Sequence, residues 1–233
     1  MDQATREHLH QATKPLINAV DWPAIERLWE PYVNSGDLDA PGDIAVIYFQ
    51  NGFDEGTEKD RQMHDLLQRA AANDHADATY CIAARLPQGE EHDQLLLKAG
   101  QLGNRDAQRN LGAYYATGDW TGPKDPAQAV QWYARAAEQG HPDAQYNLGF
   151  MYILGEGTAP DVEKGLGWLR QAAGQGDIFA MRLLADLYRN GYYNVPLSVE
   201  EAERWERLYA EADREWALKH PLALDDPAPN SLA

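Results

Sequence analysis

Asp37, Asp39 and Asp43 are the nearest approach in this sequence to a cation loop, since alternating carboxylates can surround a calcium ion. The frame fails at its twelfth residue, which is Tyr48 where a bidentate glutamate is needed. Nucleophilic chemistry is also poorly supplied. Ser35, Ser198 and Ser231 are the serines, and none stands in G-x-S-x-G or S-x-x-K. Cys81 has no histidine beside it in sequence, although His75 or His92 could approach it in space. The histidines lack the H-E-x-x-H spacing of a zinc site, and His8 and His10, two residues apart, diverge on a helix. Gly155-x-Gly157 and Gly165-x-Gly167 follow or interrupt a helix, whereas a phosphate cradle follows a strand and precedes a helix. No enzyme, cofactor or metal is expected. The remaining chemistry is that of contact: aromatic residues and charge.

The aromatic candidates are defined by the elements that carry them, and those elements repeat. Ala107, Leu111, Gly112, Tyr115 and Gly118 recur as Ala144, Leu148, Gly149, Tyr152 and Gly155, shifted by 37. Asp125, Trp132, Ala136, Ala137 and Gly140 recur as Asp161, Trp168, Ala172, Ala173 and Gly176, shifted by 36, so the first copy has one extra loop residue. Such a period indicates a solenoid. Ala180, Leu184, Ala185, Tyr188, Gly191, Ala202 and Trp205 continue the pattern; Ala78 to Gly103 form a shortened copy, and Ala40 to Ala71 a worn one. Ala144, Leu148 and Tyr152 lie four apart on one helical face, and Gly149 beside them leaves room for a neighbouring helix. Gly155 and Gly157 end that helix, Pro160 and Asp161 restart the chain, and a second helix follows. Ala45–Phe49 has strand-like propensity, but the repeat frame places Ile44 and Tyr48 on a helical core face. Asp2 to Ala19 is expected to form one or two helices interrupted near Pro15, with another starting at Asp21 and Pro23.

These residues resemble the Sel-like repeat family, a branch of the tetratricopeptide-like solenoids, with the signature A-x3-L-G-x2-Y-x2-G-x-G followed by D-x2-K-A-x2-W-Y-x-K-A-A-x-Q-G. The resemblance is close over residues 106–178, fair to about 212 and weak from about 40 to 105. Trp120 replaces the second loop glycine, Gly165 an alanine and Leu169 a tyrosine, and Pro87, Gln88 and Gly89 replace most of one loop. The resemblance implies an all-α, right-handed α-solenoid of stacked antiparallel helix pairs that binds protein and shares no catalytic residues. One helical repeat domain is expected over 1–220, with capping helices at 1–39, about five repeats over 40–212 and a flexible tail at 221–233.

Trp132, Trp168 and Trp205 fall at one repeat position and are expected to pack between helices. Trp120 falls in an inter-helix loop, and Tyr192 and Tyr193 in the corresponding loop of the last repeat; they either anchor a partner or fold back onto their own hairpins. Tyr146, Phe150 and Ile153 form a second apolar line, opposite Leu148, that either packs between repeats or faces a ligand. With Asp37, Asp39 and Asp43, the residues Trp120, Tyr146, Phe150, Tyr192 and Tyr193 make up the expected partner-binding set.

The net charge of −17 disfavours nucleic acid and anionic membrane as partners. Asp21–Asp60 holds ten acids against Arg27 and Lys59, a local charge of −8 that either aids solubility or steers a basic partner. One cysteine, no membrane-length apolar run and no visible signal peptide make a cytoplasmic location the expectation. The leading expectation is a bacterial immunity or adaptor protein that binds a basic protein, with a secreted toxin or effector as the candidate partner, because bacterial relatives of the repeat are associated with such effectors. A signalling or assembly scaffold is the alternative. A β-lactamase-like hydrolase, described for cysteine-rich relatives, lacks its paired cysteines here.

Overall fold

The computed structural model describes residues 1–19, 21–35, 39–51, 57–118 and 123–219, and all regular structure among them is helical. Internal contacts divide the chain into two compact units, Met1–Gln108 and Arg109–Ala233. The first unit contains α1 (Gln3–Asn18), α2 (Trp22–Val33), α3 (Ala40–Asn51), α4 (Glu58–Ala71), α5 (Ala76–Arg85), α6 (Glu90–Gln101) and the start of α7 (Arg105–Thr117). The second continues α7 and adds α8 (Pro126–Glu138), α9 (Pro142–Leu154), α10 (Val162–Gly174), α11 (Ile178–Asn190) and α12 (Val199–Lys219), with a 3-10 turn at Tyr192–Asn194. Trp120, Asp37 and the segment 221–233 lie outside the described residues.

The helices start where the sequence supplies side-chain acceptors for the orphan amides of a first turn. Asp2, Asp21, Thr57, Asp125, Asp161 and Asp177 each accept from the amide three residues on. At the C-terminal end of α9, Gly155 takes a left-handed conformation (φ 71°) that lets the chain turn without a Cβ clash. α1 continues through Pro15 rather than breaking there. That proline sits in the last turn, where its missing amide removes a single hydrogen bond from a helix already formed.

The strand-like run falls inside α3, as the repeat frame requires. α3 packs against α2, α4 and α5, so Ile44, Ala45, Ile47 and Tyr48 are all buried. A helix covered on several sides reads as apolar throughout, which is why its sequence imitates a strand. The first unit's core also includes Ile25, Trp29 and Leu67, none of which is exposed. Trp29 Nε1 donates to Thr13 Oγ1 at 2.9 Å, so the indole is buried with its polar atom satisfied.

In the second unit, Leu111, Leu148 and Leu184 are at most 1% exposed, as their shared repeat position predicts. Trp132 and Trp205 are buried, and the half-buried Trp168 packs against the cluster that contains Leu148. Gly149 permits a closer approach than its own position suggests, because Gly165 faces it. A Cβ on Gly149 would lie 2.8 Å from the Gly165 carbonyl oxygen, and one on Gly165 would lie 2.6 Å from the Gly149 oxygen. α9 and α10 thus meet backbone to backbone, which explains why glycine replaces the family's alanine at 165. A polar tie also recurs with the repeat. Gln108 Nε2 donates to the Gly100 carbonyl at 3.0 Å, and Gln145 Nε2 to the Ala137 carbonyl at 3.2 Å, both side chains being buried.

Candidate functional site

The first unit removes Asp43 from the acidic surface on which the sequence placed it. Its side chain is 5% exposed, at the first turn of α3, and Arg6 Nη2 on α1 donates to its Oδ1 at 2.6 Å. His75 Nε2 lies 3.4 Å from the same oxygen and His10 Nε2 3.8 Å. The Ala78 amide donates to His75 Nδ1 at the start of α5, which aims Nε2 at Asp43 Oδ1 and at Arg6 Nη2, 3.1 Å away. Burial alone would push this carboxyl up, but the contacts from His10, His75 and Arg6 hold it far below the usual carboxylate range. The side chain is therefore a tie between α1, α3 and α5. Asp39 remains exposed (54%), with one oxygen 3.5 Å from Arg6 Nη1.

Beside this cluster, Pro23, Glu26, Ile44, Tyr48, Lys59 and Leu66 border a shallow cleft of about 420 Å³ in the same unit. One of its carboxylates is committed internally. Glu26 accepts from Tyr48 at 3.0 Å and also pairs with Lys59. Burial raises the Glu26 pKa, yet these two contacts outweigh it and keep it below the ordinary value, while Tyr48, itself buried, is pushed up. Cys81 is buried too, and its thiol is pushed up to about 12 by burial and by the charges of Asp77 and Asp106. A thiol so disposed is a packing residue rather than a nucleophile at neutral pH.

The aromatic candidates of the second unit separate into two kinds. Tyr146 and Phe150, on α9, are half-buried. Tyr146 packs against the cluster of Leu166, Leu169 and Leu184, and burial and the charge of Asp177 push its hydroxyl up. Ile153, on the same apolar line, is fully in the core. Tyr192 and Tyr193 project into solvent from the turn after α11, 56% and 49% exposed, with ring centroids 6.5 Å apart in an edge-to-face pair. They do not fold back onto their hairpin. Leu197 and Val199 are also exposed in this segment, and Phe179 stands exposed at the start of α11. The sequence held a signal for Phe179, which occupies the repeat position taken by Asp106 and Asp143. Leu197 and Val199 lie between the recurring Gly191 and Ala202, at positions where the repeat has no recurring residue to depart from.

Among the described residues, no cluster of three or more His, Cys, Asp or Glu side chains is placed to hold a metal ion, and no helix is long and apolar enough to cross a membrane.

The Sel1 repeat family model matches residues 105–141, 142–177 and 178–211. Among solved structures, a Sel1 repeat protein from Oxalobacter formigenes is similar at 26% identity, covering 81% of this chain and 79% of that one, with a TM-score of 0.65. An immunity protein from Pseudomonas aeruginosa shares the fold at 22% identity, covering 89% and 80%, with a TM-score of 0.56. A second P. aeruginosa immunity protein does so at 21% identity, covering 90% and 82%, with a TM-score of 0.51. No curated protein matches the chain. The fold is an all-α solenoid of helix pairs, and repeats of this type are a protein-interaction scaffold, typically without catalysis. Residues 105–211 thus carry three Sel1 repeats.

Proposed function

We propose that this chain is a non-catalytic immunity or adaptor protein of the bacterial cytoplasm that binds one basic protein and neutralises it. The observation that carries this reading is charge on an interaction fold. The chain has a net charge of −17. Several of its cations are already engaged: Arg6, Lys59, Arg85, Lys98, Arg109 and Arg189 each contact a carboxylate. The surplus is carboxylate, and an anionic surface accelerates encounter with a cationic partner while repelling nucleic acid and anionic lipid. The P. aeruginosa proteins of the same fold are immunity proteins, and the reading extends that role to this chain.

Co-expression with the proteins encoded beside this one tests the reading. The expected result is a one-to-one complex with a single basic protein whose toxicity to the host disappears in the complex. Its formation slows with added salt, since exposed charges are screened over about 8–10 Å at physiological ionic strength. Failure of every neighbouring product to bind, or a partner as acidic as this chain, overturns the proposal. Several partners held at once would establish the scaffold reading instead.

A further inference from the structure

The turn between α11 and α12 presents an arrangement that the repeat packing does not use. Leu197 and Val199 are 71% and 63% exposed, and they lie close in sequence to the exposed Tyr192 and Tyr193. The turn itself is anchored. Val195 is buried, its amide bonds the Tyr192 carbonyl at 3.0 Å, and the Ser198 amide bonds the Tyr188 carbonyl at 2.9 Å. Tyr193 and Asn194 are both left-handed, at φ 56° and 64°. That conformation is sterically unfavourable for a tyrosine, and it persists here with the ring directed outward.

The flanking surface is net acidic: between residues 186 and 206, Asp186, Glu200, Glu201, Glu203 and Glu206 stand against Arg189 and Arg204. Arg189, one turn before Tyr192, donates to both oxygens of Glu206 at 2.7 Å, and the charges of Glu203 and Asp186 also act on it. Glu206 pairs with the guanidinium, and Glu203 and Asp186 add negative charge near it. Arg204 is occupied by Glu201 and lies over the Trp205 ring. Tyrosine faces attract a guanidinium, carboxylates take its charge, and aliphatic side chains cover its methylene stem. The same pairing already occurs inside this unit, where the Arg170 guanidinium lies 6.0 Å over the Tyr188 ring. A second copy of this chain would bring the same acidic edge against itself.

We propose that the Tyr192–Val199 turn, with the acidic edge of α11 and α12 beside it, docks an arginine-bearing segment of a protein partner. This rests on the reading of the chain as a binder of a basic protein and names the surface that would do it.

The test titrates the full isotope-labelled chain with octa-arginine and octa-lysine peptides and follows the amide resonances. The expected shifts concentrate between residues 189 and 206. Octa-arginine binds about threefold more tightly than octa-lysine, as ring–guanidinium contact requires. The preference vanishes in the Y192A/Y193A double variant, whereas E203Q/E206Q weakens both peptides alike. Y193G keeps the left-handed turn without its ring, so a reduced preference in that variant separates loss of contact from loss of structure. Shifts confined to the Asp21–Asp60 segment, or an arginine preference unchanged in Y192A/Y193A and Y193G, overturn the proposal. With a partner in hand from co-expression, wild-type affinity of Y192A/Y193A overturns this docking surface and leaves the partner standing. Arginine-selective binding at the turn with no basic protein partner does the reverse.

Discussion

Asp43 and the Gly149–Gly165 pair each hold helices together, but by opposite means. In the first unit, a buried carboxylate reaches Arg6 on α1 and His75 before α5, so three helices depend on one charge and its partners. In the second, α9 and α10 come together because two side chains are missing. The first tie is specific and vulnerable: a buried charge stripped of its partners is costly. The second is steric and tolerates no added atom. The polar tie lies where the repeat pattern is worn, and the glycine pair where it is best preserved.

Substitutions can break this comparison. Leu148→Ala in the second unit should destabilise by about 2–5 kcal/mol, as for a buried leucine in a close-packed core. Denaturant unfolding measures it, and a change inside about 0.5 kcal/mol would place Leu148 outside the core. Asp43→Ala should cost about 3 kcal/mol, because Arg6 and His75 lose their counter-charge. Arg6 is one-third exposed and can rehydrate in part, which limits the loss. Asp39→Ala, at the exposed end of the same cluster, should cost less than about 1 kcal/mol. Equal effects at 39 and 43 would dissolve the distinction between surface and buried acid.

Acid titration sharpens the Asp43 side of the comparison. Its folded pKa is depressed, so its contribution is complete above the unfolded value of about 3.9 and is lost as the pH falls through the lower folded value. Below about pH 4 the native chain should lose stability more steeply than Asp43→Asn, followed by helical circular dichroism. Parallel acid curves would show that the carboxylate is not held in its charged form.

The glycine side is tested by two alanines in neighbouring helices. Gly149→Ala should destabilise by about 1–3 kcal/mol through overpacking against the Gly165 carbonyl. Gly167→Ala, whose Cβ would meet nothing within 4 Å, should instead stabilise α10 by about 0.5–1 kcal/mol through helix propensity. The smallest effect belongs to the tyrosine turn. Tyr193→Gly should leave stability unchanged or raise it by less than about 1 kcal/mol, since glycine adopts φ 56° without strain. A large loss there would show the ring to be packing rather than presentation.

Repetition made the second unit legible. Ala144, Leu148 and their equivalents are core because each stacked hairpin presents the same residues to the same kind of neighbour, so sequence period translates directly into burial. The exposed tyrosines were legible as departures from the frame, though not their direction. Asp43 was misplaced for a physical reason: in a run of acids, nothing in the local sequence distinguishes a carboxylate facing water from one facing an arginine 37 residues earlier. Leu197 and Val199 went unread because a single apolar residue has the same local pattern whether a neighbouring helix covers it or not, whereas Phe179 was legible from the aspartates at its repeat position.

The sequence alone determined the helical repeat, its caps and its charge, since these follow from spacing and composition along one chain. Only the tertiary structure decided which acid is buried, which glycine faces another glycine and which aromatic rings remain in solvent. Those properties belong to pairs of segments brought together by folding, and burial, pairing and clash exist only once the second segment is in place.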